Sequence, residues 1–232
     1  MTKWLYSLIP LKIFDWVYSH TNGYEATRKF ITSVDPELLE SLSEKKVMKV
    51  YRDARRNIPA YRNFLKGKRP IMNIASFNKN LPLLDKENYV KKFSLVDRLH
   101  RRRLPKHGML VESSGSSGKH PTNWFRTMEE EQVVQKDVGF ESRYLFGDKE
   151  YIVISCWTLG AWTTSYSFCY YFEPLGVVKN IGPDVDQVVR TMKLMGTKHN
   201  YLIGGYPPFV KHLIDTGGLS WKKYNIDLVV GG

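Results

Sequence analysis

A chain of 232 residues that is 42% hydrophobic and 25% charged can bury a sizeable core, which excludes a disordered tail as a description of the whole. Two cysteines, Cys156 and Cys169, are too few for a disulfide framework, and with six scattered histidines they give no metal-ligand spacing. The formal net charge of +12 and an isoelectric point near 9.5 imply attraction to anions, whether nucleotides, nucleic acid or an acidic membrane surface, without choosing among them.

Residues 1–18 are rich in Trp, Leu, Ile and Phe, but Pro10, Lys12 and Asp15 interrupt any run long enough for a signal or transmembrane segment. A packed amphipathic helix in a cytoplasmic protein is the expectation, with an interfacial role for Trp4, Phe14 and Trp16 beside Lys3 and Lys12 as the alternative. Asp35-Pro36-Glu37 reads as N-cap, first-turn proline and dipole-matched acid. Leu38, Leu42, Val50 and Ala54 then recur near helical spacing until Ile58-Pro59. The basic residues of this helix, from Lys45 to Arg56, read as a solvated face. Asp85-Lys86-Glu87 opens a short helix. Between residues 98 and 107, Arg101, Arg102, Arg103 and Lys106 form a run that lacks interleaved aromatic residues for base stacking. A solvated linker is expected there, with a raised potential near the next segment as the alternative.

That segment, residues 111–122, reads VESSGSSGKHPT. Gly115 and Gly118 let the backbone approach a ligand closely, Ser113, Ser114, Ser116 and Ser117 supply hydroxyls, and Lys119 supplies a charge. Successive backbone N–H groups in such a turn converge on an anion, and the natural guest is a polyphosphate. A Walker A loop is disfavoured, because Ser113 stands in place of its first glycine and His120 follows the lysine. Neither a dinucleotide fingerprint nor a hydrolase nucleophile elbow is present. A flexible linker is the plain alternative, but apolar and aromatic residues crowd both sides.

Thr127-Met128-Glu129-Glu130 is a capping box opening a helix to about residue 145. Residues 151–154 predict a buried strand and 184–195 a helix with Val185, Val188, Val189, Met192 and Met195 on one stripe. Residues 201–203 and 226–230 predict strands flanking a helix over 207–215. Alternation of this kind predicts an α/β fold with a mainly parallel sheet and right-handed crossovers, behind a helical lead-in over 1–106. Trp157, Trp162 and Tyr166 lie in an aromatic and hydroxyl stretch just beyond a strand end, where ligands of parallel sheets bind. The alternative for these rings is buried core.

The order of these motifs resembles the adenylate-forming superfamily, and within it the phenylacetate-CoA ligase-like branch. Residues 113–119 resemble its Ser/Thr/Gly-rich ATP loop, residues 50–62 (VYRDARRNIPAYR) its early helix and N-I-P-A-Y segment, and residues 81–87 (LPLLDKE) its LPLTTKE. Residues 201–209 (YLIGGYPPF) are similar to its CGTPSYAL strand and turn, and Gly231-Gly232 to its next glycine motif. One departure is visible, because His120 stands before Pro121 where the family places proline directly.

The resemblance implies ATP-dependent activation of a carboxylic acid through an acyl-adenylate, with Mg2+ sharing the pyrophosphate charge and coenzyme A as acceptor. It places the phosphates on Ser113 to Lys119, the acid near Trp157, Trp162, Tyr166, Gly204 and Gly205, and adenine near Gly231 and Gly232. It also implies that residues 1–232 make up an incomplete N-terminal domain, lacking a mobile C-terminal domain and inactive alone. An amine or a carrier protein as acceptor, and a basic binding protein for nucleic acid or anionic surfaces, stay open as alternatives. No nucleic acid partner is expected, and a homodimer is left open.

Overall fold

The computed structural model describes residues 9–113, 121–160 and 163–231. The chain divides into two compact units, Met1–Lys106 and His107–Gly232.

The first unit is helical, with α1 (Leu11–His20), α2 (Tyr24–Ser33), α3 (Pro36–Asn57), α4 (Pro59–Phe64) and α5 (Ile74–Asn80). The start of α3 lies at the expected cap. Asp35 accepts a hydrogen bond from the Glu37 backbone N–H at 2.8 Å, and Pro36 has no N–H to leave unsatisfied. Leu42, Met48 and Tyr51 are its buried residues, and the last two join Leu65 and Ile71 in a small core. Tyr61 and Phe77 meet the Tyr51 ring edge-on at 6.4 and 5.9 Å. Lys46, Lys49, Arg52 and Arg56 of α3 are exposed, while Lys45 and Arg55 are half-buried.

Two expectations for this unit need adjustment. Residues 86–90 form a single wide turn, because Asp85 and Asn88 cap each other reciprocally and Asn88 also donates to the Leu83 carbonyl at 3.0 Å. The basic run folds into short 3-10 turns in place of a linker, with Arg101 and Arg102 at φ 53° and 56°. Side-chain bonds hold these two non-glycine residues in the left-handed region. Arg101 Nε donates to Asn57 at 3.0 Å and Arg102 Nε to Asp97 at 2.8 Å. The Arg102 bond, helped by Ser94, holds the Asp97 carboxyl below the usual carboxylate range.

The second unit opens with an antiparallel hairpin of β1 (Gly108–Glu112) and β2 (Asn123–Thr127), in which Val111 faces Trp124 and Glu112 faces Asn123. The Ser113 N–H donates to the Thr122 carbonyl at 2.9 Å, and the Thr122 N–H donates to Ser113 Oγ at 3.1 Å. These bonds fix the two ends of the serine and glycine segment. Residues 114–120 themselves lie outside the described residues.

The rest is α6 (Met128–Phe146), β3 (Tyr151–Ser155), α7 (Thr163–Phe172), β4 (Gly176–Asn180), α8 (Val185–Met195), β5 (Asn200–Gly205), α9 (Pro207–Thr216) and β6 (Asn225–Val230). Thr127 and Glu130 form the expected box at the start of α6, with bonds of 3.2 and 3.0 Å. The four strands pair in the order β4-β3-β5-β6, all parallel. Every residue of β3 is buried, which is why the sequence there is apolar without alternation. On one face Ile152, Ile154, Tyr201 and Ile203 pack with Val188, Met192 and Leu213 of α8 and α9. On the other, Tyr151, Val153 and Leu202 pack with Phe168 and Phe172 of α7. The chain thus leaves β3 in one direction through α7, then recrosses on the opposite face through α8 to reach β5. That reversal opens a crevice between the carboxyl ends of β3 and β5.

One buried polar contact ties the hairpin to this sheet. Glu131 of α6 is fully buried, Arg126 Nε of β2 lies 2.5 Å from its Oε1, and the Tyr171 hydroxyl of α7 donates to Oε2 at 2.7 Å. The Arg126–Oε1 contact is one of charge without a directed hydrogen bond, since that oxygen has no hydrogen-bond partner. Arg126 Nη2 also donates to the Tyr171 hydroxyl. Burial and the bond to Glu131 push the Tyr171 phenol above its ordinary range. Replacing Arg126 by Ala should lower the unfolding free energy by about 3–5 kcal/mol, because the Glu131 carboxylate is left buried and unpaired. Adding Glu131→Leu should recover much of the loss, and urea denaturation of both variants checks this.

Candidate functional site

The crevice between β3 and β5 holds a cavity of about 360 Å³. Glu112, Ser113 and Trp124 reach it from the hairpin, and Trp157 and Thr158 from the end of β3. Thr163 and Thr164 come from the first turn of α7, and Tyr206 from the residue that caps α9. These positions follow from the topology. β3 and β5 end at the same level, with Ser155 beside Gly204, so the residues that leave the two strands must face each other. The Thr163 and Thr164 hydroxyls sit where the α7 dipole and its first N–H groups favour negative charge.

Two donors in the lining are buried with no hydrogen-bond partner among the described residues, Trp157 Nε1 and Thr163 Oγ1. A buried polar group without a partner costs on the order of 1–3 kcal/mol, so such groups mark places that water or a ligand fills. The site therefore offers hydroxyl and indole donors against aromatic walls, next to the fixed root of the Ser113–Lys119 segment. That donor set suits an organic ligand bearing oxyanions. Burial pushes the Cys156 thiol up to about 12, so this residue is an inert part of the core. Among the described residues no group of His, Cys, Asp and Glu is placed to hold a metal ion.

The residues singled out from the sequence fall into separate places. Ser113 and Trp157 line the cavity. Ser114, Gly115, Ser116, Ser117, Gly118, Lys119, Trp162 and Gly232 lie outside the described residues. Tyr166 is exposed, stacks on Tyr170 at 5.9 Å, and lines a different cavity of about 660 Å³ with Gln135, Cys169 and Asn180. Gly204 and Gly205 line neither cavity and are buried in β5. A Cβ on Gly204 would stand 2.1 Å from Phe168 Cζ, and one on Gly205 would stand 3.1 Å from the Cys156 Cβ. Their small size lets α7 and the core close on β5. Gly231 follows β6, and a Cβ there would come 3.8 Å from the Trp157 ring. Trp124 and Tyr206 were not anticipated. The β-favouring Trp124-Phe125 pair between Asn123 and Thr127 is the signal for the returning strand that carries Trp124, and Tyr206 directly follows the Gly204-Gly205 strand end.

No protein-family model and no curated protein matches the sequence. Among solved structures, 2-hydroxyisobutyryl-CoA ligase has the same fold. An open conformation of that enzyme, in complex with 2-HIB-AMP and CoA, superposes with a TM-score of 0.67 at 15% identity, over 87% of this chain and 49% of the ligase. Its postadenylation state with 2-HIB-AMP gives 0.62 at 15% identity, over 79% and 41%. The thioesterification state, with 2-HIB-AMP and CoA, gives 0.58 at 14%, over 79% and 41%. The chain thus has the α/β fold of part of that ligase and spans 41–49% of its length.

Replacing Gly204 by Ala should destabilise the second unit by about 1–3 kcal/mol, since the new methyl must displace the Phe168 ring. A lowered melting temperature checks this. Melting at the wild-type temperature would mean that Phe168 yields freely.

Proposed function

We propose that the chain carries the acid- and nucleotide-binding part of an ATP-dependent ligase, one that activates a carboxylic acid as its acyl-adenylate and passes the acyl group to coenzyme A. The observation that carries this reading is the joining, in one crevice, of the root of the serine and glycine segment at Ser113 with Trp157 and Thr163, whose buried donors lack partners. The fold supports it, being that of a ligase solved with an acyl-adenylate and CoA bound.

In this reading Ser113 to Gly118 give hydroxyl and backbone N–H groups to the β and γ phosphates, and Lys119 adds its charge. Mg2+ would travel with the triphosphate and share the charge of the departing pyrophosphate. The acid lies against Trp157 and Trp162, and Tyr166 guards the neighbouring cavity. Thr163, Thr164 and the Trp157 N–H hold oxygens of the reacting groups. Gly231 and Gly232 border the adenine side, and a Cβ on Gly231 would reach ordinary contact with the Trp157 ring at 3.8 Å.

The chemistry asks little acid or base work of the protein. An oxygen of the substrate carboxylate attacks the α-phosphorus, the bond to the bridging oxygen breaks, and pyrophosphate leaves. The coenzyme A thiol then gives up its proton, sulfur attacks the acyl carbonyl, and AMP departs. Orientation and charge neutralisation supply most of the acceleration in such a scheme. Every step draws on metabolites of the cytoplasm, where the reading places the protein.

Two outcomes are expected. Lys119→Ala should weaken ATP binding to the 232-residue chain, measured by calorimetry, on the order of tenfold or more, with melting unchanged, since hydrogen bonds to charged groups contribute about 1.5–3 kcal/mol. Unchanged ATP affinity would remove the phosphates from this segment. Trp157→Phe keeps an aromatic wall but deletes the indole donor, so it should reduce affinity for an acyl-adenylate analogue more than it reduces stability. Equal affinity for the analogue would leave that donor without a role.

A further inference from the structure

The positive charge of the protein is confined to one of its two units. Residues 1–106 hold 23 Lys and Arg against 10 Asp and Glu, an excess of 13, whereas residues 107–232 hold 12 against 13. A triphosphate site in the second unit does not account for a charge that resides in the first. The first unit also contains a groove of about 700 Å³ between the start of α1, α3 and the start of α5. Its floor is apolar, formed by Ile9, Leu11, Met48, Met72 and Ile74, and its rim is basic, formed by Lys12, Lys45, Lys49 and Arg52. Glu44 is the single acid among the lining residues.

The rim follows from helical spacing, since Lys45, Lys49 and Arg52 recur at four and three residues along α3 and so share one face. Met48 belongs to the small core of this unit, but other apolar groups at this place stay at the surface. Met72 is 73% exposed. On α1, Trp16 stands one turn beyond Lys12 on the same side and is 62% exposed, with Ile13 at 57%. Lysines and an arginine beside exposed Met72, with exposed Ile13 and Trp16 next to Lys12 along α1, match a surface that is anionic on the outside and hydrocarbon just beneath.

We propose that this groove docks the chain on an anionic lipid bilayer, with Lys12, Lys49 and Arg52 among the phosphates and Trp16 and Met72 at the headgroup boundary. Peripheral attachment of this kind needs both parts, apolar burial and charge attraction. A nucleic acid would use the cations but would leave the apolar floor and Met72 without a partner. Among the described residues no helix is long and apolar enough to cross a membrane, so any attachment through these helices lies on the surface.

The test is cosedimentation of the 232-residue chain with phosphatidylcholine vesicles, with and without phosphatidylglycerol, across a salt series. Binding is expected only to the anionic vesicles and should weaken as salt rises. Lys49→Ala with Arg52→Ala should weaken it about twenty-five-fold, at roughly fivefold per cation. Lys222→Ala with Lys223→Ala, an equal charge change in the second unit, should leave it within about twofold. Trp16→Ser and Met72→Ser should each weaken it as well, and circular dichroism should show these exposed substitutions folded. Equal loss with the control pair, insensitivity to Trp16 and Met72, or no vesicle binding beside salt-dependent binding to a DNA or RNA duplex would each overturn the proposal.

Discussion

The buried Glu131 carboxylate is the constraint on which the second unit depends. A charge at zero exposure is tolerated only if it is paired, and its partners come from two other elements, Arg126 of β2 and Tyr171 of α7. The contact therefore does more than satisfy one side chain. It holds the stem of the hairpin against the helices that pack on the sheet, so that Ser113 and Thr122 have a fixed place. A segment of serines and glycines has little structure-forming tendency of its own, and any ordered ligand contact it makes must be organised from its ends.

The crevice arises from topology. Because β3 connects through α7 to β4 at one edge and β5 connects through α9 to β6 at the other, the carboxyl ends of β3 and β5 are left without a covering crossover between them. Trp157 and Tyr206 occupy the residues just beyond those two ends, and the first turn of α7 supplies hydroxyls at its dipole-positive end. Gly204 serves the same arrangement from beneath, since only a residue without a side chain lets Phe168 close over β5. Packing and site are thus linked through α7, whose buried face forms the core while its first turn faces the cavity.

Much of the fold was legible from residues 127–230 alone. The capping box at Thr127, the apolar runs at 151–154 and 201–203, and the stripe from Val185 to Met195 each state a local preference that the tertiary structure respects. What was not legible has physical reasons. β4 lies at the sheet edge and is half exposed, so Gly176-Val177-Val178-Lys179-Asn180 shows neither an apolar run nor strict alternation. The aromatic stretch after β3 divides because α7 begins inside it, and helical geometry turns Phe168 into the core and Tyr166 outward to a second cavity. Tyr166 and Trp157 share one stretch of sequence, but the helix start between them sends the two rings to different cavities. Gly204 and Gly205 suggested a ligand wall, whereas their neighbours are protein side chains. The buried pairing of Arg126 with Glu131 could not be read, since opposite charges five residues apart are common on solvated faces.

The central claim is that the crevice between β3 and β5 receives an acyl-adenylate. A crystal structure of the chain soaked with a non-hydrolysable acyl-sulfamoyl adenosine tests it most directly. The ligand is expected between Trp157 and Tyr206, with its oxygens on the Trp157 Nε1 and Thr163 Oγ1 donors and its phosphate-side end towards Ser113. A ligand bound elsewhere, or that crevice filled only by water at saturating analogue, would contradict the account.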